Sequence, residues 1–299
     1  MLASLLTTVF FSLSVIFAAR SSKILGSSVA NLGRIVLATV LLGIWAHRFG
    51  YGLQGPGMPW FFLSGVIGFG LGDMALFGAL SRIGPRLSIL LTQCLAAPIA
   101  AAVEWLWLGT SLHFGEMVAA AVILAGVALA LAPDHGWTGD PREFRIGVLF
   151  GIGSALGQSL GAVLSRKAGA LSALAGLEID GGTAAYQRIL GGVLMTAIGI
   201  AVLYRVQGGN FVPTRAAWRA GWPFVIGNAL AGPTVGVACY QWALTTTPSG
   251  IVLPIVATSP LVTMLLAYFI DRQPSTRRAI IGGALAVLGA IALRWVQTG

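Results

Sequence analysis

An all-α integral membrane protein of ten transmembrane helices, built as two inverted five-helix repeats, is the fold class that this sequence predicts. Three observations predict it. Charged residues make up only 9% of 299 positions against 57% hydrophobic, and the mean hydropathy is +0.87. A soluble domain carries about a quarter charged residues, so this chain cannot cover a water-facing surface. Its apolar residues gather into stretches near the roughly twenty residues that cross a bilayer as helix. Finally, the pattern returns. Gly68-x3-Gly72-x6-Ala79-Leu80 reappears as Gly232-x3-Gly236-x6-Ala243-Leu244, Arg34-Ile35 as Arg188-Ile189, and Pro98 as Pro260, in the same order.

The spans follow along the chain. Residues 2–19 form the first; Arg20 and Lys23 follow this stretch instead of preceding it, unlike the basic start of a cleaved signal peptide. Span two covers 28–46, and span three, 60–81, ends at a short turn over 81–85. Span four covers 86–108 and span five 114–132. The longest polar link, 133–145, is the inter-repeat loop, dividing a first repeat at 1–132 from a second at 146–299. Spans six to ten are expected at 146–166, 184–204, 220–243, 250–270 and 279–296. Five is an odd number, so the second repeat must thread the membrane upside down relative to the first.

Small residues let helix backbones approach closely in lipid, which accounts for most of the 41 glycines. Proline removes a helical hydrogen bond and clashes one turn back. Pro98 in span four, Gly232 and Pro233 in span eight, and Pro254 and Pro260 in span nine are therefore the expected hinges.

Several function classes are disfavoured. The net charge is +9, but the basic residues are scattered singles and pairs without a nucleic-acid-binding motif, so no nucleic-acid partner is expected. Cys94 and Cys239 lie inside apolar spans with no CxxC or histidine neighbour, so neither a disulfide nor a metal site is expected. His47, His113 and His135 lie at helix ends or in loops without metal-binding spacing, and no catalytic cluster or nucleotide-binding loop is present. The chain reads as neither enzyme nor cofactor protein, and any pumping must draw on a gradient.

Charges at membrane depth are costly and mark cavities or partners. Counting about 1.5 Å per residue, Arg34 lies about 9 Å and Asp73 about 12 Å from the same face. They are expected to meet as a buried ion pair, either locking spans two and three or releasing one partner to substrate or to a coupling proton. Glu104 sits near the opposite face, expected to reach for the headgroups or gate a cavity mouth. Val237 stands where Asp73 would repeat, so Arg188 lacks an equivalent acid. It can attract an anionic group such as a substrate carboxylate, or pair with Glu178 or Asp180 in the preceding loop. Ser154 and Gln158 share a helix face, as do Ser88 and Thr92 beside Gln93, while Tyr240, Gln241 and Trp242 end span eight. Unpaired amides are expensive in lipid, so Gln93, Gln158 and Gln241 should point inwards. Trp45, Trp60, Trp107, Trp218, Trp222 and Trp295 lie near span ends as expected interfacial anchors.

The pattern resembles the EamA-type branch of the drug/metabolite transporter superfamily over nearly the whole chain. The matching features are Ala79-Leu80 and Ala243-Leu244 ending spans three and eight, Pro98 and Pro260, Arg34 and Arg188, and the closing Ala119-x6-Gly126 and Gly282-x6-Gly289. Family members often carry Leu-Gly-Glu after the fourth helix of each half; here Leu108-Gly109-Thr110 and Ile270-Asp271-Arg272 stand instead, so no role is carried over for that glutamate. The resemblance implies ten helices, inverted repeats, a central cavity and export of metabolites or amino acids.

The expected function is thus a secondary-active transporter in a cell membrane of the bacterial inner-membrane kind. It would move a small-molecule substrate by alternating access, with Arg188, Gln158, Gln93, Tyr240 and Gln241 as substrate contacts. A lipid flippase is the alternative, with a channel or structural subunit behind it. Orientation is contested. Arg20, Lys23, Arg82, Arg86, Arg142, Arg145, Arg205, Arg215, Arg219, Arg272, Arg277 and Arg278 follow odd-numbered spans, against Arg48, Arg166, Lys167 and Arg294 on the other side. Positive residues favour the cytoplasm, which sets both termini outside, whereas the resemblance implies that they lie inside.

Overall fold

Helix is the only regular structure among the described residues, because backbone in lipid must satisfy its own hydrogen bonds. The computed structural model describes residues 1–133, 140–207, 213–271 and 276–298. Residues 134–139 of the expected inter-repeat loop, with His135, and Arg272 lie outside the described residues. The first half runs through α1 (Leu2–Leu25), α2 (Ser27–Phe49), α3 (Met58–Gly65), a π-helix over Val66–Gly72, α4 (Asp73–Leu108) and α5 (Phe114–Leu131). The second runs through α6 (Pro141–Leu174), α7 (Gly181–Gln207), α8 (Arg215–Ala229), a π-helix over Leu230–Gly236, α9 (Val237–Thr246), α10 (Ser249–Val256), α11 (Ser259–Asp271) and α12 (Arg277–Thr298).

Among the described residues nine helical stretches are long and apolar enough to cross a membrane. Nine differs from the expected ten because Met58–Leu108 is one helical run of 51 residues. At 1.5 Å per residue that is about 77 Å, more than twice an apolar core of roughly 30 Å. The run is broken at Gly84, whose φ of 75° and ψ of 169° are non-helical. A side chain there would be strained, and Pro85 then restarts the helix with a φ already set for it.

Two helices outrun their expected spans. α1 carries Arg20 and Lys23 in its last turns, and α6 takes in Arg142, Arg145, Arg166 and Lys167, which were expected in loops. Long basic side chains can reach water or headgroups from a helix end, so charge does not stop the helix. α6 starts where Asp140 caps it, accepting from the Arg142 backbone N–H, with Pro141 at the first turn.

Expected span nine is divided in two, α10 ending before Ala257 and α11 beginning at Ser259. Pro260 has no N–H to offer, and hydroxyls from the chain take up the freed carbonyls. Ser259 Oγ donates to Val256 O at 2.6 Å, while Thr258 Oγ1 and Thr8 Oγ1 both donate to Ile255 O. Ser12 Oγ on α1 donates to Ser259 O at 2.8 Å. Broken helix survives in a membrane only where such partners exist.

The packing is reciprocal. α1 packs on α8, the second π-helix, α10 and α11, while α6 packs on α3, the first π-helix and α4. α2 meets α7, and α5 meets α12. The two π-helices occupy the repeated Gly68 and Gly232 motifs, each seven residues long.

Candidate functional site

Where these helices converge, a cavity of about 200 Å³ is lined by Phe11, Gly68, Phe69, Gly72, Asp73, Leu76, Thr92, Gln93, Ser154, Gln158, Arg188, Val237, Tyr240 and Val256. α1, the first π-helix, α4, α6, α7, α9 and α10 therefore all contribute.

Arg188 is the dominant charge. It is only 6% exposed, its Nε and Nη1 have no hydrogen-bond partner among the described residues, and its guanidinium lies over the rings of Phe69 at 5.1 Å and Tyr240 at 5.5 Å. Ring faces attract cations, which steadies the group while its Nε and Nη1 donors stay open. Small residues make room for it: a methyl group on Gly68 would stand 2.8 Å from Nη2. Of the two loop acids, Asp180 is occupied elsewhere. Asp180 accepts from Trp45 Nε1, the Gly182 and Thr183 backbone N–H groups and the Thr183 hydroxyl.

Opposite lies a neutral polar wall. Gln158 Nε2 donates to Gln93 Oε1 at 3.2 Å, joining α6 to α4. Thr92 and Ser154 sit beside them, and the Thr92 hydroxyl has no partner. Ser88, the expected companion of Thr92, instead donates back to Gly84 O at 2.7 Å. Gln241 is buried with an unbonded Nε2 but does not line the cavity. Arg34 gives its Nε to Asn31 Oδ1 at 2.8 Å. Among the described residues no ion pair within 4.0 Å joins Arg34 to Asp73, although Asp73 lies within electrostatic range of both Arg34 and Arg188.

The expected hinge residues are dispersed. Gly232 and Pro233 lie in the second π-helix, Pro254 and Pro260 flank the break in span nine, and Pro98 is within α4. Phe11 and Phe69 had no signal in the sequence, one being the second of two adjacent phenylalanines and the other lying between two glycines.

Glu104 corrects the headgroup reading. It is 1% exposed, ion-paired to Arg166 Nε at 2.5 Å, and accepts the Ser249 backbone N–H and hydroxyl. Arg166 Nη1 also donates to Leu244 O and Thr247 O at 2.7 and 2.8 Å. Helix α6 brings Arg166 inside, so the carboxylate finds its countercharge there and does not need water. Beside this lock a larger hollow of about 990 Å³ is lined by Trp45, Arg166, Glu178, Asp180, Cys239 and Trp242 among others.

Asp180 gives the protein an acid-sensitive joint. Burial pushes its carboxyl up, but the donors from Thr183, Trp45 and Gly182 outweigh that and hold it below the usual carboxylate range. A lowered folded value stabilises above the ordinary carboxylate pKa and is lost as pH falls through the folded value. Thermal unfolding of Asp180→Asn against the parent is expected to differ at neutral pH and converge in acid.

The EamA-like transporter family model matches residues 1–132 and 145–295. No curated protein matches the sequence. One solved crystal structure superposes with a TM-score of 0.73 at 18% identity, covering 98% of this chain and 98% of that one, a likeness of fold alone.

Proposed function

Because the chain belongs to the EamA-like transporter family, we propose that it exports a small organic solute with an anionic group by alternating access through the central cavity. The mechanism draws on a gradient, and Arg188 is the principal contact. One observation carries this reading: a buried arginine faces the cavity with two nitrogens unbonded. A charge desolvated at such cost is retained where something pairs with it. A carboxylate can take these open N–H donors in charge-assisted hydrogen bonds, while Gln93, Gln158, Thr92 and Tyr240 meet neutral polar atoms. The cavity is smaller than the roughly 300–1,000 Å³ of drug-sized sites, which favours a metabolite of amino-acid size.

Ten crossings in two inverted halves underlie the mechanism. The length of Met58–Leu108 and its break at Gly84 support two crossings there. The paired π-helices and the reciprocal helix contacts support the repeat at 1–132 and 146–299. Access alternates as the broken span nine and the second π-helix reorient around Gly232, Pro233, Pro254 and Pro260, with α4 bending at Pro98. A flippase would use the larger hollow, whose tryptophans suit a lipid. Its arginine, however, is already committed to Glu104 and two carbonyls, which favours the solute reading.

The test is a panel of radiolabelled amino acids and organic acids in proteoliposomes under imposed gradients. Arg188→Gln is expected to weaken uptake of an accepted solute by losing a charged hydrogen bond, about 1.5–3 kcal/mol, or about ten- to a hundredfold in affinity. Arg188→Gln matching the parent on every transported solute would overturn the assignment.

A further inference from the structure

A second cavity, of about 310 Å³, lies on the other side of the first π-helix. It is lined by Ser27, Ser28 and Asn31 on α2, by Asp73, and by Thr196 on α7 among others. Asp73 therefore borders both this cavity and the central one. Phe69 also borders both, so the end of the π-helix forms a partition one side chain thick.

The lining leads in one direction. Ser27 and Ser28 open α2 beside Gly26, where α1 turns into α2, so the second cavity approaches the α1–α2 end of the bundle. That is the end away from Met1. The Asp73 carboxylate has no hydrogen bond or close ion pair among the described residues, while Arg34 has turned to Asn31. The charged groups within electrostatic range of Asp73 are Arg34 from α2 and Arg188 from α7; Tyr240 from α9 lines the central cavity with it. Asp73 is also the only acid lining either cavity among the described residues. A divalent ion wants several carboxylates or a full oxygen cage, which this set lacks. One carboxylate with neighbouring hydroxyls and an amide suits a single positive charge.

We propose that Asp73 binds a small monovalent cation, a proton or a sodium ion, reached from the α1–α2 end of the bundle through this second cavity. The proposal rests on the transporter reading and adds the entry route and the cation class. The bound charge stands one partition from the substrate cavity.

Infrared difference spectra of the full chain test the binding without any substrate. A first series titrates pH in choline buffer, and a second titrates sodium against choline at fixed alkaline pH. A carboxyl band that responds to acid alone makes the ligand a proton, and one that responds to sodium makes it the metal ion. Either response is expected to vanish in Asp73→Asn and to move in frequency in Asp73→Glu, a variant that keeps the charge. Parent spectra silent in both series, or identical in Asp73→Asn, would overturn the site. The route is read with Thr196→Cys in a Cys94→Ser, Cys239→Ser background, using a membrane-impermeant cationic thiol reagent on oriented vesicles. Labelling is expected from the α1–α2 side only; labelling from the termini side, or from neither, overturns the route. Because no solute is added, these results stand or fall apart from the Arg188 transport assay.

Discussion

Replacing Arg166 by leucine is expected to destabilise this protein strongly. Arg166 joins three elements: its Nε pairs with Glu104 on α4, and its Nη1 takes the Leu244 and Thr247 carbonyls at the end of α9. Removing one partner of a buried pair leaves the other charge uncompensated, at about 3–5 kcal/mol. Arg166→Leu also strands two carbonyls, so it belongs at the upper end of that range. Glu104→Leu leaves the carbonyl bonds but strands the guanidinium together with the Ser249 N–H and hydroxyl, so a loss in the same range is expected. The double variant Glu104→Leu, Arg166→Leu is expected to recover part of the loss, because neither charge is then left alone. Thermal unfolding in detergent, followed by monodisperse fraction in size-exclusion runs, checks the order. Equal melting temperatures for Arg166→Leu and the parent would mean that the pair contributes nothing.

The second large effect is steric. α5 and α12 touch backbone to backbone through the repeated small residues. A methyl group on Gly126 would stand 2.5 Å from Gly282 O and 2.6 Å from Ala286 N, and one on Gly289 would stand 2.8 Å from Ile123 N. These neighbours are main chain and cannot swing aside. Gly126→Val is therefore expected to push the helices apart, at about 1–3 kcal/mol for overpacking, plus the dispersion lost along the seam. Gly283→Val on the same helix is the control, since a side chain there meets nothing within 4 Å. Melting temperatures of the two variants should diverge clearly; if both match the parent, the close seam is not what holds α12.

Much of the architecture was legible because lipid leaves few options. Apolar length marks a helix there, and the Gly68 and Gly232 motifs coincide with the two π-helices. Polarity inside a span marked the cavity: Gln93, Gln158, Arg188, Tyr240 and Asp73 converge from four helices, since the bilayer offers such groups no other refuge. What was not legible depended on three-dimensional pairing. Arg166 reads as a loop residue until α6 is seen to continue past it, and only then does Glu104 have a reason to be buried. Arg34 turned to Asn31, one turn before it on the same helix, a local partner that depth counting does not detect. Gln187, which donates to Gly52 O and Gln54 O at 3.0 Å, ties a loop that no periodicity could place. Gln241 faces inwards without reaching the cavity, because depth fixes a level in the membrane and not an azimuth.

The matched π-helices carry a further implication. A wide turn of this kind accommodates one surplus residue within an otherwise regular helix. Both halves hold it over the same seven positions of their shared motif, although the residues filling it now differ. An irregularity held in common at one place of a recurring motif points to one origin for the surplus residue rather than two.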